Sequence, residues 1–200
     1  MTKLKEALRE IYLDSDTEFN KLFPLHIQAL AKSHWTRLDI VRKAAEFLAM
    51  EDDVKILDIG SGVGKFCLAG AFQTPKAHYF GVEQRRSLYE YSLNAQHSLG
   101  IRNVSFIHGN FTQLDLKDFD HFYFYNSFYE NIMDTDKIDE SIECSVELFD
   151  YYHRYLFKQL EQMKSGTRIC TLCSFETEIP QDYHEVGSDM NDLLKFWIKI

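Results

Sequence analysis

The chain has 200 residues, 45% hydrophobic and 26% charged, with 3 prolines and 9 glycines. That is enough for one domain with a sizeable core, and it excludes a disordered or fibrous protein and leaves little room for a second large domain. Twenty-two Lys and Arg against 31 Asp and Glu give a formal charge of −9, which argues against holding nucleic acid through net attraction for phosphates.

Residues 1–50 read as a helical front segment. Leu4, Ala7, Leu8 and Ile11 recur at helical spacing, Pro24 punctuates 19–30, and Leu38, Ile40, Val41, Ala44, Ala45 and Leu48 mark a strong amphipathic face. From residue 54 short apolar runs alternate with longer helical stretches. Strands are expected at 54–59, 78–82, 104–107, 119–125 and 167–175, and helices at 65–72, 86–99 and 139–163. The tail offers strands at 183–186 and 193–200, joined by a turn at Gly187-Ser-Asp. Such alternation predicts an α/β fold: a doubly wound, mostly parallel sheet with N-terminal helices and a C-terminal antiparallel hairpin. No apolar run approaches the roughly 20 residues of a membrane span.

Four cysteines, Cys67, Cys144, Cys170 and Cys173, lie in apolar or amphipathic stretches behind an N-terminus without signal-peptide character. The expectation is a reduced, cytoplasmic protein. Cys170 and Cys173 form C-x-x-C inside an expected buried strand, with no second pair spaced for zinc.

The most informative run is Val54-Lys-Ile-Leu-Asp-Ile-Gly-Ser-Gly-Val-Gly-Lys65. An apolar strand enters Gly60, Gly62 and Gly64 and then a helix, so backbone can come close to a nucleotide-like cofactor. A dinucleotide fingerprint needs its third glycine where Lys65 stands. The order G-x-G-x-G preceded by Asp58 resembles the first motif of class I S-adenosylmethionine-dependent methyltransferases. Tyr79-Phe-Gly-Val-Glu83 then places an acid at a strand end, 19 residues beyond Gly64, able to accept from both ribose hydroxyls; as a plain helix N-terminal charge it would serve only the following helix. The third strand ends in Gly109-Asn-Phe111, where the family commonly has Gly-Asp-x.

The resemblance covers about residues 34–200. It implies S-adenosyl-L-methionine as cofactor, a binding domain at 51–200 and residues 1–50 as a lid or cap on the same domain. Implied cofactor contacts are Trp35, Thr36, Asp58, Gly60, Ser61, Gly62, Gly64, Glu83, Gln84, Asn110, Phe111 and Asn126. Asn110 would accept from the adenine amino group, Phe111 would lie against the ring, and Thr36 serves equally well as a helix N-cap.

The fourth strand ends in Tyr125-Asn-Ser-Phe-Tyr-Glu130, where class I enzymes hold the methyl acceptor. Asn126 and Tyr129 are the candidate catalytic residues: the Asn126 amide oxygen accepts from an amino group, the Ser127 carbonyl assists, and Tyr125, Phe128 and Tyr129 form an aromatic wall. Asn126-Ser-Phe-Tyr129 echoes the Asn/Asp-Pro-Pro-Tyr/Phe of amino-methyltransferases without its prolines. Asp58-Ile-Gly-Ser-Gly-Val-Gly64, Gly81-Val-Glu83, Gly109-Asn-Phe111 and Asn126-Ser-Phe128 are more similar to the non-SET histone-lysine methyltransferases related to the disruptor of telomeric silencing, differing at Asn110 and Ser127. That family implies an amine acceptor such as a protein lysine.

Residues 115–150 carry eleven acids (Asp115, Asp118, Asp120, Glu130, Asp134, Asp136, Asp139, Glu140, Glu143, Glu147 and Asp150) against Lys117 and Lys137, a sum equal to the whole charge of the chain. Either this is an acidic rim for a cationic protein or small-molecule acceptor, or Asp139, Glu143, Glu147 and Asp150 are the solvated face of a helix that buries Ile142, Val146 and Phe149. A small-molecule methyltransferase, a polyamine synthase-like aminopropyl transferase and a non-catalytic cofactor-binding module stay open beside the amine methyltransferase. No spacing of His, Cys, Asp and Glu indicates a metal site.

Overall fold

The computed structural model describes residues 2–132, 137–174 and 176–200. Asp134 and Asp136 of the acidic run, and Phe175 at the end of an expected strand, lie outside these residues. Seven strands form one sheet: β1 (Lys55–Ile59), β2 (His78–Glu83), β3 (Val104–His108), β4 (His121–Tyr125), β5 (Arg168–Leu172), β6 (Tyr183–Asp189) and β7 (Leu194–Lys199). Their order is β3-β2-β1-β4-β5-β7-β6, with β1 to β5 parallel and β7 antiparallel to both β5 and β6. The strand order reverses between β1 and β4, and ligands of doubly wound sheets bind beyond the carboxyl ends of strands at such a point.

Alternation along the central strands sends side chains into two cores. Ile56, Tyr79, Tyr123 and Cys170 face α5 (Leu38–Leu48), α6 (Lys65–Gln73) and α7 (Arg86–Leu99). Leu57, Ile59, Phe122, Phe124 and Ile169 face α8 (Val146–Glu161) and the turns around Phe111 and Leu116. Buried on both faces, the strands read as near-continuous apolar runs, which is why they were legible. Ahead of α5 run α1 (Thr2–Tyr12), α2 (Asp16–Asn20), α3 (Leu25–Gln28) and α4 (Ala31–His34), and Phe19, Phe23, Ile27 and Trp35 pack into the first core.

Three boundaries differ from expectation. β5 ends at Leu172, so Cys173, at φ +55°, lies beyond the strand and not inside it. The turn of the C-terminal hairpin is Met190-Asn-Asp192, all with positive φ, whereas Gly187 sits inside β6 opposite Phe196, after a bulge between Glu185 and Gly187. The bulge absorbs one residue and lets β6 run on to Asp189. The helix expected from residue 139 starts instead at Val146, where the Ser145 hydroxyl caps it by accepting from the Leu148 N–H at 3.2 Å. Asp139 Oδ1 accepts from both the N–H and the hydroxyl of Ser141, a local bonding pattern that competes with helix. Asp139 is therefore not on a solvated helix face. Among the described residues no helix is long and apolar enough to cross a membrane.

Candidate functional site

A cavity of about 330 Å³ opens at the carboxyl ends of β1, β2 and β4. Trp35, Gly60, Gly62, Glu83, Gln84, Phe111, Asn126 and Tyr129 line it, bringing eight of the predicted residues together. An adjoining cavity of about 30 Å³ is lined by Thr36, Asp58 and Ser61 and shares Trp35 and Gly60 with the first. Gly64 and Asn110 line neither cavity.

The glycine turn follows from β1 being driven into the core and then reversing into α6. A side chain at Gly62, which has φ +54°, would meet nothing within 4 Å, so this backbone borders open space that a ligand can enter. Gly64 answers a packing need: at φ +79° it precedes α6, and a Cβ there would lie 2.3 Å from the Phe106 ring. The Ser61 hydroxyl is buried with no hydrogen-bond partner among the described residues, an orphan polar atom in the wall of the smaller cavity.

Glu83 ties the turn to β2. One carboxylate oxygen accepts from the Gly62 N–H at 2.9 Å and the other from the Arg85 N–H at 2.8 Å. Burial nevertheless pushes its carboxyl up from the ordinary value. Asp58, 4% exposed, turns toward α6 and accepts from the Cys67 thiol at 3.7 Å. Desolvation raises its carboxyl to about 8, with the Glu83 charge adding to the rise. These are two buried carboxylates beside a cavity, each short of compensating donors.

Lys65, at the first position of α6, is almost fully buried. Its ammonium meets Asp16 Oδ1 at 2.5 Å and lies over the Phe19 and Trp35 rings at 5.3 and 5.9 Å. Burial lowers its proton affinity while Asp16 raises it. Asp16 Oδ1 also accepts from the Leu38 N–H at 3.0 Å. That carboxylate does the capping at the start of α5 expected of Thr36, whose hydroxyl instead bonds Tyr123 Oη at 2.8 Å.

Asn110 has a different task from the one its position implies. Its side-chain oxygen accepts from the N–H and hydroxyl of Thr112, both at 3.0 Å, and its amide nitrogen donates to Gln84 Oε1 and Tyr152 Oη. It thus caps the 3₁₀ turn Phe111–Gln113, and Phe111 is held at the cavity wall against Phe128, ring centroids 5.2 Å apart.

On the acceptor side, Asn126 stands at φ +50°, a left-handed conformation that asparagine tolerates better than most residues. Its amide makes no hydrogen bond to the described residues. The Ser127 hydroxyl donates to the Ile59 carbonyl at 2.5 Å and pins the end of β4 to β1. Trp35, Tyr125, Phe128, Tyr129 and Tyr152 give the cavity aromatic walls, and the Tyr125 hydroxyl donates to the Ser33 carbonyl at 3.0 Å. Arg85 and Tyr152 also line it and were not singled out from sequence; of the two only Arg85, two residues from Glu83, carried a signal. Glu143, named there in the acidic run, and Ile142, named on the apolar helix face, line it too. No group of His, Cys, Asp and Glu able to hold a metal occurs among the described residues.

Comparison with known proteins places the chain. The family model described as a methyltransferase domain matches residues 50–193. A protein-L-isoaspartate O-methyltransferase of Methanothermobacter thermautotrophicus is 35% identical over 75 residues, 37% of this chain and 35% of that one. A tRNA (guanine-N(7)-)-methyltransferase of Synechococcus sp. is 34% identical over 91 residues, 46% of this chain and 35% of that one. The chain thus spans about a third of the length of these curated relatives. An RNA methyltransferase from Salinibacter ruber, solved in complex with S-adenosyl-L-homocysteine, superposes with a TM-score of 0.56 at 18% identity, covering 82% of this chain and 93% of that one. With its sheet order and the family match over more than half its length, the chain belongs to the methyltransferase domain family and has the class I, S-adenosyl-L-methionine-dependent fold.

Proposed function

We propose that the protein transfers a methyl group from S-adenosyl-L-methionine to an amine, and that the 330 Å³ cavity is where this occurs. The observation that carries the acceptor side is Asn126: an unengaged amide on a left-handed backbone at the β4 end, framed by aromatic rings. The residues fit the cofactor. Gly60 and Gly62 give close backbone approach, Glu83 supplies a carboxylate for ribose hydroxyls, and Asp58, Ser61 and Thr36 line the recess next to them. When bound, the cofactor supplies an electrophilic sulfonium methyl. The chain's own contribution is positioning: methyl transfer is an in-line displacement that needs the acceptor lone pair aligned at about 3 Å, with little acid or base help for a neutral amine. Asn126 would orient that amine through its side-chain oxygen, while the rings of Tyr125, Phe128 and Tyr129 disfavour its protonated form and exclude water.

The four motifs that resemble those of the non-SET histone-lysine enzymes, departing at Asn110 and Ser127, favour a protein lysine or a related cationic amine within this class. Residues 1–50 act as a cap, tied down through Lys65 and Asp16 and through Tyr125 and Ser33. The four free cysteines fit a reducing, cytoplasmic setting. The names of the relatives include both protein and RNA methyltransferases, so the test must separate the two. Labelled methyl from S-adenosylmethionine, incubated with the protein and a cell extract, is expected in the protein or small-molecule fraction. Label confined to nucleic acid would overturn the amine-acceptor reading.

A further inference from the structure

Arg85 lies 4% exposed in the wall of the cavity, between the turn that follows β2 and the segment that follows β4. Its guanidinium uses three nitrogens on two carboxylates. Nη1 and Nη2 donate to the two oxygens of Glu130 at 3.3 and 2.6 Å, and Nε donates to Asp139 Oδ1 at 2.9 Å. Its backbone N–H donates to Glu83, the carboxylate that also accepts from Gly62. Glu130 further accepts from the Ile138 N–H at 3.2 Å. Against burial, which raises it, the Ser141 hydrogen bonds and the Arg85 charge hold the Asp139 carboxyl below its ordinary value.

One continuous set of bonds therefore runs from the glycine turn through Glu83 and Arg85 to both halves of the acceptor wall. Asn126 to Asn131 lie on one side of it, and Ile138, Ile142 and Glu143 on the other; members of both halves line the cavity. Besides Arg85 the wall is held by the Ser127–Ile59 bond, by the Ser145 N–H donating to Asn131 Oδ1 at 3.4 Å and by Phe128 packed on Phe111 and Tyr152, but not by regular structure: Tyr129–Asn131 is a single 3₁₀ turn, and residues 137–145 carry no helix or strand. A buried planar fork engaging two carboxylates is a task a lysine point charge does poorly.

We propose that Arg85 is a positioning residue that clamps the segment after β4 over the cofactor cavity, its guanidinium holding the acceptor wall while its backbone N–H holds Glu83. This rests on the reading of that cavity as the cofactor site. It also reassigns Glu130 and Asp139 from an open acidic rim to partners of a buried cation.

The test is the dissociation rate of S-adenosylhomocysteine, followed by surface plasmon resonance on the full chain. Wild type must bind; absence of binding would sink the cavity assignment itself. Given binding, Arg85→Gln is expected to release the ligand about tenfold faster with association within about twofold, since what is lost is a wall that closes over bound ligand. Arg85→Lys should recover only part of the difference. Hydrogen exchange should speed up at residues 126–132 and 137–145 in Arg85→Gln while the amides of β1 and α6 stay protected. If Arg85→Gln fails to fold, Glu130→Gln and Asp139→Asn carry the test, each removing one partner and each expected to quicken release. Unchanged release in the folded variants, or a lowered melting temperature with exchange raised evenly across the chain, would overturn the clamp and leave the cofactor site standing.

Discussion

Asp58 is buried at the end of β1, and desolvation lifts its carboxyl from 3.8 to about 8. Across that window the folded chain binds the proton more tightly than the unfolded chain, so the stability of the ligand-free protein falls as pH rises from about 4 to about 8. Asp58→Asn cannot ionise. Its melting temperature should exceed that of wild type at pH 8 and converge with it near pH 4, while S-adenosylhomocysteine affinity drops about tenfold or more through loss of a charge-assisted partner. Parallel melting curves across pH would contradict the burial argument. At this scale sequence was informative where chemistry sits at strand ends. Gly60 and Gly62 could be placed because strand and turn are neighbours in the chain, and Glu83 because it ends the next strand. Tyr152 could not, because packing brings it to the cavity from α8.

Elements were legible in proportion to their burial. The central parallel strands β1, β2, β4 and β5 are largely buried and carry a strong signal, and α7 begins and ends where its pattern predicts, with Gly100 closing it at φ +65°. The stretch from 126 to 145 was not legible. Ile142 shares helical spacing with Val146 and Phe149 of α8, yet Asp139 is bound to Arg85 and Ser141 and the helix waits for the Ser145 cap. Tertiary ion pairing and a local cap outweighed periodicity there. Ser145→Ala should accordingly cost about 1 kcal/mol in urea unfolding, the usual worth of an N-cap hydroxyl. No measurable loss would mean that α8 starts elsewhere.

For the molecule as a whole, the concentration of negative charge in residues 115–150 takes on a partly internal meaning. Asp115 caps a turn through the Lys117 N–H, Asp120 pairs with Lys164 and accepts from the Lys55 N–H, and Glu130 and Asp139 neutralise Arg85. Glu143 remains a cavity-lining carboxylate without a charged partner among the described residues, and it keeps a cationic acceptor favourable. The decisive measurement is the chemistry of the transferred methyl. Label moved from S-adenosylmethionine onto acceptor by wild type, and lost with Asn126→Ala, should survive mild alkali and be recovered after acid hydrolysis as an N-methylated amine. Alkali-labile label, the mark of a carboxyl methyl ester, or label recovered only as a methylated nucleobase would contradict methylation of a protein or small-molecule amine at this site.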